Sequence, residues 1–167
     1  MKKFKIEFKW AFVISIAFLV WMILEKQLGF HDEKLKWQVF FSMLIIFPNF
    51  ILYYLAISDK KKNYYNSEMN WRQGFISSVI ISAIIVLFSP IIQFITHEFI
   101  TPTYFENIIA LAVKSKKLTL EEATSYFNLS AYIWQSISGS LSFGVVIGAI
   151  VAYILKTKKP ISNLKSN

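Results

Sequence analysis

Four long blocks of apolar residues constrain this chain more than any other feature. They are Trp10–Leu28, Trp37–Ser58, Gln73–Thr96 and Tyr132–Leu155. A helix rises about 1.5 Å per residue, so a hydrocarbon core of about 30 Å needs roughly 20 residues to cross. The second, third and fourth blocks reach that length outright. The first is apolar only to Leu24, about 22 Å, and reaches about 28 Å only if it continues to Leu28. That extension carries Glu25 and Lys26 into the interface. Lipid offers no partner to backbone N–H and C=O groups, so spans of this length must be helices.

The sequence therefore predicts an all-α fold, a four-transmembrane-helix bundle with helices at about 9–28, 37–58, 73–96 and 132–155. They form one membrane domain over 1–155, followed by a polar cytoplasmic tail at 156–167. Pro48 and Pro90 fall inside spans, where a bundle accommodates them as kinks. A basic start before an apolar run also fits a signal peptide. No small-residue cleavage site follows, so an uncleaved first helix is expected.

The segment 97–131 is too polar to span. Phe105, Ile108, Ile109, Ala112 and Val113 recur at three-four spacing, an amphipathic stripe with Pro102 just ahead of it. Thr119 with Glu122 three residues on forms a capping box. Two short extramembrane helices are expected here, at about 104–115 and 120–127. The first would lie flat on the lipid surface.

Charge sets the orientation. The net charge is +8, which in a soluble protein suggests nucleic acid. Here the basic residues flank the apolar blocks, so topology explains them and nucleic acid is not an expected partner. With the N-terminus inside, the inner segments hold Lys2, Lys3, Lys5, Lys9, Lys60, Lys61, Lys62, Arg72, Lys156, Lys158, Lys159 and Lys165. The outer ones hold half as many: Lys26, Lys34, Lys36, Lys114, Lys116 and Lys117. The positive-inside rule then puts both termini in the cytoplasm. Trp10, Trp71 and Tyr153 fall near the inner interface, and Trp37 and Trp134 near the outer one, as aromatic belts require.

The polar residues give few leads to chemistry. The absence of Cys excludes disulfides, thiolate catalysis and Cys-based metal sites. There is no HExxH, GxSxG, P-loop or dinucleotide fingerprint. Helix four carries Ser136, Ser140, Gly144, Gly148 and Ala152 at four-residue steps, with Gly139 alongside; helix three carries Gly74, Ser78 and Ser82. Small residues at that spacing let backbones approach, either between helices three and four or across a homodimer. A ligand or ion path lined by hydroxyls is a third reading of the same pattern.

Glu25 is the one acid within a span. It either snorkels to the headgroups, pairing with Lys26 or Lys36, or serves a proton- or ligand-linked role. Asn49, beside Pro48, is placed to satisfy carbonyls at a kink or to bond across helices. Gln93 and Gln135 would tie helix three to helix four. His31-Asp32 and His97-Glu98 lie on the outer side, in two loops without the spacing of a zinc site, so no metal is expected. Lys60, Lys61 and Lys62, with Tyr64 and Tyr65, suit lipid headgroups. No cofactor is implied.

Three stretches carry a family resemblance: KKFKIEFKWAFVISIAFLVWMILEKQLGFHD, DKKKNYYNSEMNWRQGFISSVIIS, and SPIIQFITHEFITPTYFENII followed by LTLEEATSYFNLSAYIWQS. They resemble small bacterial membrane proteins catalogued as domain-of-unknown-function family four-one-nine-nine. The resemblance covers nearly the whole chain. It implies a four-helix bacterial membrane protein, hence one of the cytoplasmic (inner) membrane, with an outer segment between helices three and four. It implies no activity and no catalytic residues.

The leading expectation is a structural, accessory or regulatory membrane component that acts through helix packing and its outer segment. Its partners would be the bilayer and a membrane protein or a second copy. A small oligomeric transporter or channel is the alternative; it would depend on Glu25, whose place at the end of the first helix counts against it. A membrane enzyme on envelope or lipid substrates is a further one. It would need Glu25, His31, Asp32, His97 or Glu98, and without a catalytic motif the protein is not expected to be an enzyme.

Overall fold

The structure is a computed structural model that describes residues 4–157. The tail expected at 156–167 lies outside the described residues beyond Thr157. So do Lys2 and Lys3.

Among the described residues every regular element is a helix. Helix α1 runs Lys5–Gln27. A short 3-10 turn, Leu35–Trp37, leads into α2, Gln38–Met43, and then α3, Ile46–Asn63. Helix α4 runs Trp71–Ile95 and passes into a π-helical turn, Thr96–Ile100. Helices α5, Tyr104–Lys114, and α6, Leu120–Tyr126, precede α7, Leu129–Leu155. Four stretches are long and apolar enough to cross a membrane: Lys5–Gln27, Leu35–Asn63, Trp71–Ile100 and Leu129–Leu155. Large apolar side chains on them face outward, among them Phe12, Phe47, Leu87 and Val146. A water-soluble protein would bury such residues; here they suit a lipid surroundings.

The second span departs from the expected single helix at 37–58 in two ways. It breaks at Leu44–Ile45, between α2 and α3. Pro48 accounts for the break: its ring excludes the carbonyl four residues back, that of Leu44, and it has no N–H to give. The span also continues as helix to Asn63, past the expected end at 58. Asp59 secures that end, accepting from Trp10 Nε1 at 2.7 Å and from Asn63 Nδ2 at 2.7 Å. Pro90, by contrast, sits within α4 without ending it.

Helix α4 is the hub, packed along α7 and also against α1 and α3. The small residues of α4 and α7 interlock in antiparallel order. A Cβ added at Gly144 would lie 1.5 Å from Ser82 Oγ, and one at Gly148 would lie 2.3 Å from Ser78 Cβ. One at Gly74 would lie 3.0 Å from the Ala152 Cβ. From Gly144 to Ala152 the ladder is thus filled within the chain, whereas Ser136 and Ser140 line a cavity. Gly139 has open space beside it and takes no part in this seam. Below it, Ile14, Tyr53, Ile57, Ile81, Ile147 and Val151 form the apolar core.

The start of α1, the end of α3, the start of α4 and the end of α7 meet at one end of the bundle, here the terminal end. There Met69 N–H donates to Thr157 Oγ1 (2.9 Å) and Thr157 N–H to Met69 O (2.8 Å). The opposite, distal end carries α2, the π turn, α5 and α6. The expected capping box of Thr119 with Glu122 opens α6, and a second one, Asn70 with Gln73, opens α4.

Candidate functional site

The distal end of α1 closes by a turn that decides the site. Gly29 adopts φ 81, a left-handed conformation that glycine takes without a Cβ penalty. Gly29 N–H then donates to Lys26 O (2.9 Å) and Phe30 N–H to Glu25 O (3.0 Å), the double bond of a Schellman cap. The chain reverses, Phe30 stacks on Phe41 at 4.2 Å, and His31 returns to the end of α1. Helix α5 holds the loop from above, with Asn107 Nδ2 donating to His31 O (3.2 Å) and Asp32 Oδ1 (2.9 Å).

Glu25 consequently does not reach the interface. It is 0% exposed and pairs with neither Lys26 nor Lys36. Trp21 Nε1 and Ser42 Oγ (2.8 Å) donate to its Oε1, and His31 Nε2 donates to Oε2 at 3.1 Å. Burial of a carboxylate is costly unless hydrogen bonds replace its water, and three donors do so here. His31 is itself 1% exposed, and its Nδ1 has no partner.

A cavity of about 180 Å³ adjoins Glu25, with Ser42, Gln38, Gln93, His97, Tyr104 and Tyr132 in its walls. The π turn puts His97 there: Thr101 N–H reaches back five residues to Thr96 O (2.8 Å). Such turns recur at functional sites. The His97 ring stacks on Phe105 at 4.2 Å and lies 5.5 Å from the Tyr104 ring, which lies 5.3 Å from that of His31. His97 Nδ1 also lacks a partner. Tyr104 Oη donates to Gln38 Oε1 at 3.0 Å, so the 3.1 Å contact with Tyr132 leaves Tyr132 as the donor. Burial pushes the Tyr104 hydroxyl above its usual range, although its bonds to Tyr132 and Gln38 pull the other way. It therefore stays a proton donor at neutral pH.

A second cavity, about 90 Å³, lies deeper and shares Phe18 and Gln93 with the first. Ser15, Asn49, Tyr53, Ser89, Ser136 and Ser140 contribute its polar wall. Tyr53 Oη and Ser82 Oγ meet at 2.8 Å beside Gly144.

The terminal end holds a second buried charge cluster. Lys60, 2% exposed, sits 2.8 Å from Glu7 Oε1; Glu7 is 1% exposed and also accepts from Ser77 Oγ at 3.0 Å. Lys60 Nζ lies 3.7 Å from the Tyr64 ring centroid. This corrects its expected place among headgroup contacts, because the helical extension of α3 turns it inward onto α1. Lys61 instead donates to Leu155 O at 2.8 Å, capping α7, and Lys62 is exposed.

The remaining predicted residues separate. His31 and His97 converge on Tyr104, whereas Asp32 is engaged by Asn107 and Glu98 is exposed. Among the described residues no three of His, Asp and Glu gather in a metal-binding group. Gln93 is buried between the cavities while Gln135 is exposed, so the bond expected between them is not formed. Asn49 is half-buried and lines the deeper cavity.

A family model described as "Protein of unknown function (DUF4199)" matches residues 9–157, and the chain belongs to that family. No curated protein matches the chain. No solved structure matches it either.

Proposed function

For this member of a family without an assigned activity, we propose a small proton-linked membrane transporter whose centre is the buried Glu25–His31 pair. The observation that carries the reading is the position of Glu25, fully buried in a cavity wall and hydrogen-bonded to an imidazole. Ionisable groups inside a membrane are expensive and mark ion or substrate pathways. An imidazole has two ring nitrogens and can take up a proton at one and release it at the other. The two adjoining cavities extend the polar lining from Glu25 past Gln93 towards Tyr53 and Ser82. The Glu7–Lys60 cluster would close the terminal end of that path.

The accessory reading rests on helix packing and on the outer segment. Gly144, Gly148 and Ala152 are occupied by α4 of the same chain, so those positions give no support to a seam with a partner. The transporter would lie in a bacterial cytoplasmic membrane with both termini inside, as the lysine distribution favours. The distal cavity would then face the outer side beneath α5 and α6, the two extramembrane helices. The test is proton flux into vesicles reconstituted with the full chain and loaded with a pH-sensitive dye. An imposed pH gradient should decay faster than in protein-free vesicles, and Glu25→Gln should remove the difference while Asp32→Asn keeps it. Equal decay with wild type and Glu25→Gln would remove Glu25 from the mechanism.

A further inference from the structure

The distal cavity selects its ligand by charge, size and wall chemistry. Its lining includes one acid, Glu25, and no lysine or arginine. Glu25 Oε2 accepts from His31 alone, and a carboxylate oxygen has room for a second donor. His97 Nδ1 is a buried nitrogen with no partner, and Gln93 adds an amide. The carboxylate favours a ligand that brings N–H donors and positive charge, and the imidazole and amide are able to accept further hydrogen bonds from it. The rest of the wall includes the rings of Phe18, Trp21 and Tyr132. Aromatic faces attract a cation through their quadrupoles and also take up an apolar body. A bare alkali ion would leave those rings without a counterpart.

The volume gives a scale for the ligand. A cavity of about 150 Å³ admits benzene, so about 180 Å³ takes a molecule of roughly six to eight heavy atoms. We propose that the distal cavity binds a small monovalent organic cation, a protonated amine of that size, with its ammonium on Glu25 and His97 and its body against Phe18, Trp21 and Tyr132. This deepens the transport reading and rests on the same carboxylate.

Benzylamine and benzyl alcohol are near-isosteres that differ in charge. Each is titrated calorimetrically into the purified full-length protein in detergent, with protein-free detergent as the blank. Saturable binding of benzylamine at least about ten-fold tighter than benzyl alcohol is expected, because only the amine brings a charge to the buried carboxylate. Glu25→Gln should weaken benzylamine about ten-fold or more and leave the alcohol unchanged. Equal affinities for amine and alcohol, no saturable amine binding, or undiminished amine binding by Glu25→Gln would overturn the proposal. If Glu25→Gln fails to fold, the wild-type comparison decides alone. If benzylamine does not bind while Glu25→Gln still abolishes proton flux, the cation proposal falls and the transport reading stands.

Discussion

Gly144→Ala puts one methyl group where α4 and α7 touch. The new Cβ would lie 1.5 Å from Ser82 Oγ, 2.6 Å from Ser82 Cβ and 2.9 Å from Tyr53 Oη. Rotating the serine hydroxyl relieves the first contact but not the second, so the helices must part. Overpacking of this kind costs about 1–3 kcal/mol. The Tyr53–Ser82 hydrogen bond would be disturbed as well, adding about 0.6 kcal/mol if it behaves as an average interhelical bond in a membrane protein. The expected total is about 2–4 kcal/mol. Gly139→Ala is the internal control: nothing lies within 4 Å of its added Cβ, and relief of glycine's backbone freedom should leave it neutral or more stable by up to about 1 kcal/mol. Unfolding by sodium dodecyl sulfate in mixed micelles, followed by tryptophan fluorescence, gives both midpoints. The double variant Ser82→Gly with Gly144→Ala restores the space and should be more stable than the two single changes add up to, by about 1 kcal/mol or more. Identical midpoints for Gly144→Ala and Gly139→Ala would refute an intramolecular ladder. So would additivity of the pair.

Lys60→Met leaves Glu7 buried without its cation and should destabilise by about 3–5 kcal/mol in the same titration, whereas Glu7→Gln with Lys60→Met should recover most of that loss. If Lys60 served only lipid headgroups, the single change would be nearly silent. The second prediction concerns pH. The Thr119 backbone N–H and then its hydroxyl, both donating to Glu122, hold that carboxyl below its ordinary value. A depressed carboxylate stabilises the fold fully above its unfolded value and loses that contribution as pH falls through the folded one. Amide exchange at Glu122 and Ala123 should therefore remain slow at neutral pH and show extra opening only below the ordinary glutamate range, a pH step that Glu122→Gln removes.

The spans, the short helices at 104–114 and 120–126 and the Thr119 cap follow from features that act over a few residues, and those are legible in a sequence. The seam was visible as residue size, although spacing alone left its partner open. Glu25 and Lys60 were harder. Each sits at the end of an apolar block beside further charges, which resembles an interfacial residue. Helical phase carries the contrary signal: Glu7, Ala11, Ile14, Phe18 and Glu25 share one stripe of α1, and Tyr53, Ala56, Ile57 and Lys60 share one of α3. The partners themselves were out of reach, since His31 depends on the turn at Gly29, His97 on a π turn, and Glu7 and Lys60 on helices that meet only in the fold. The break at Leu44 was expected as a kink at Pro48, but a proline acts on the turn before it, so the interruption falls four residues earlier.

The central claim is that Glu25 is a buried centre and not an interfacial charge. The chain has no cysteine, so single-cysteine variants report one position each. Glu25→Cys and Lys26→Cys differ by one residue, but Glu25 is 0% exposed and Lys26 is exposed. Their rates of reaction with an impermeant maleimide, applied to the distal face of vesicles reconstituted with the full chain, test the claim directly. The account predicts rapid labelling of Lys26→Cys, and labelling of Glu25→Cys at least about ten-fold slower until the protein is denatured, because thiol reaction requires access as well as thiolate. Equal rates at the two positions would place residue 25 at the membrane surface and contradict it.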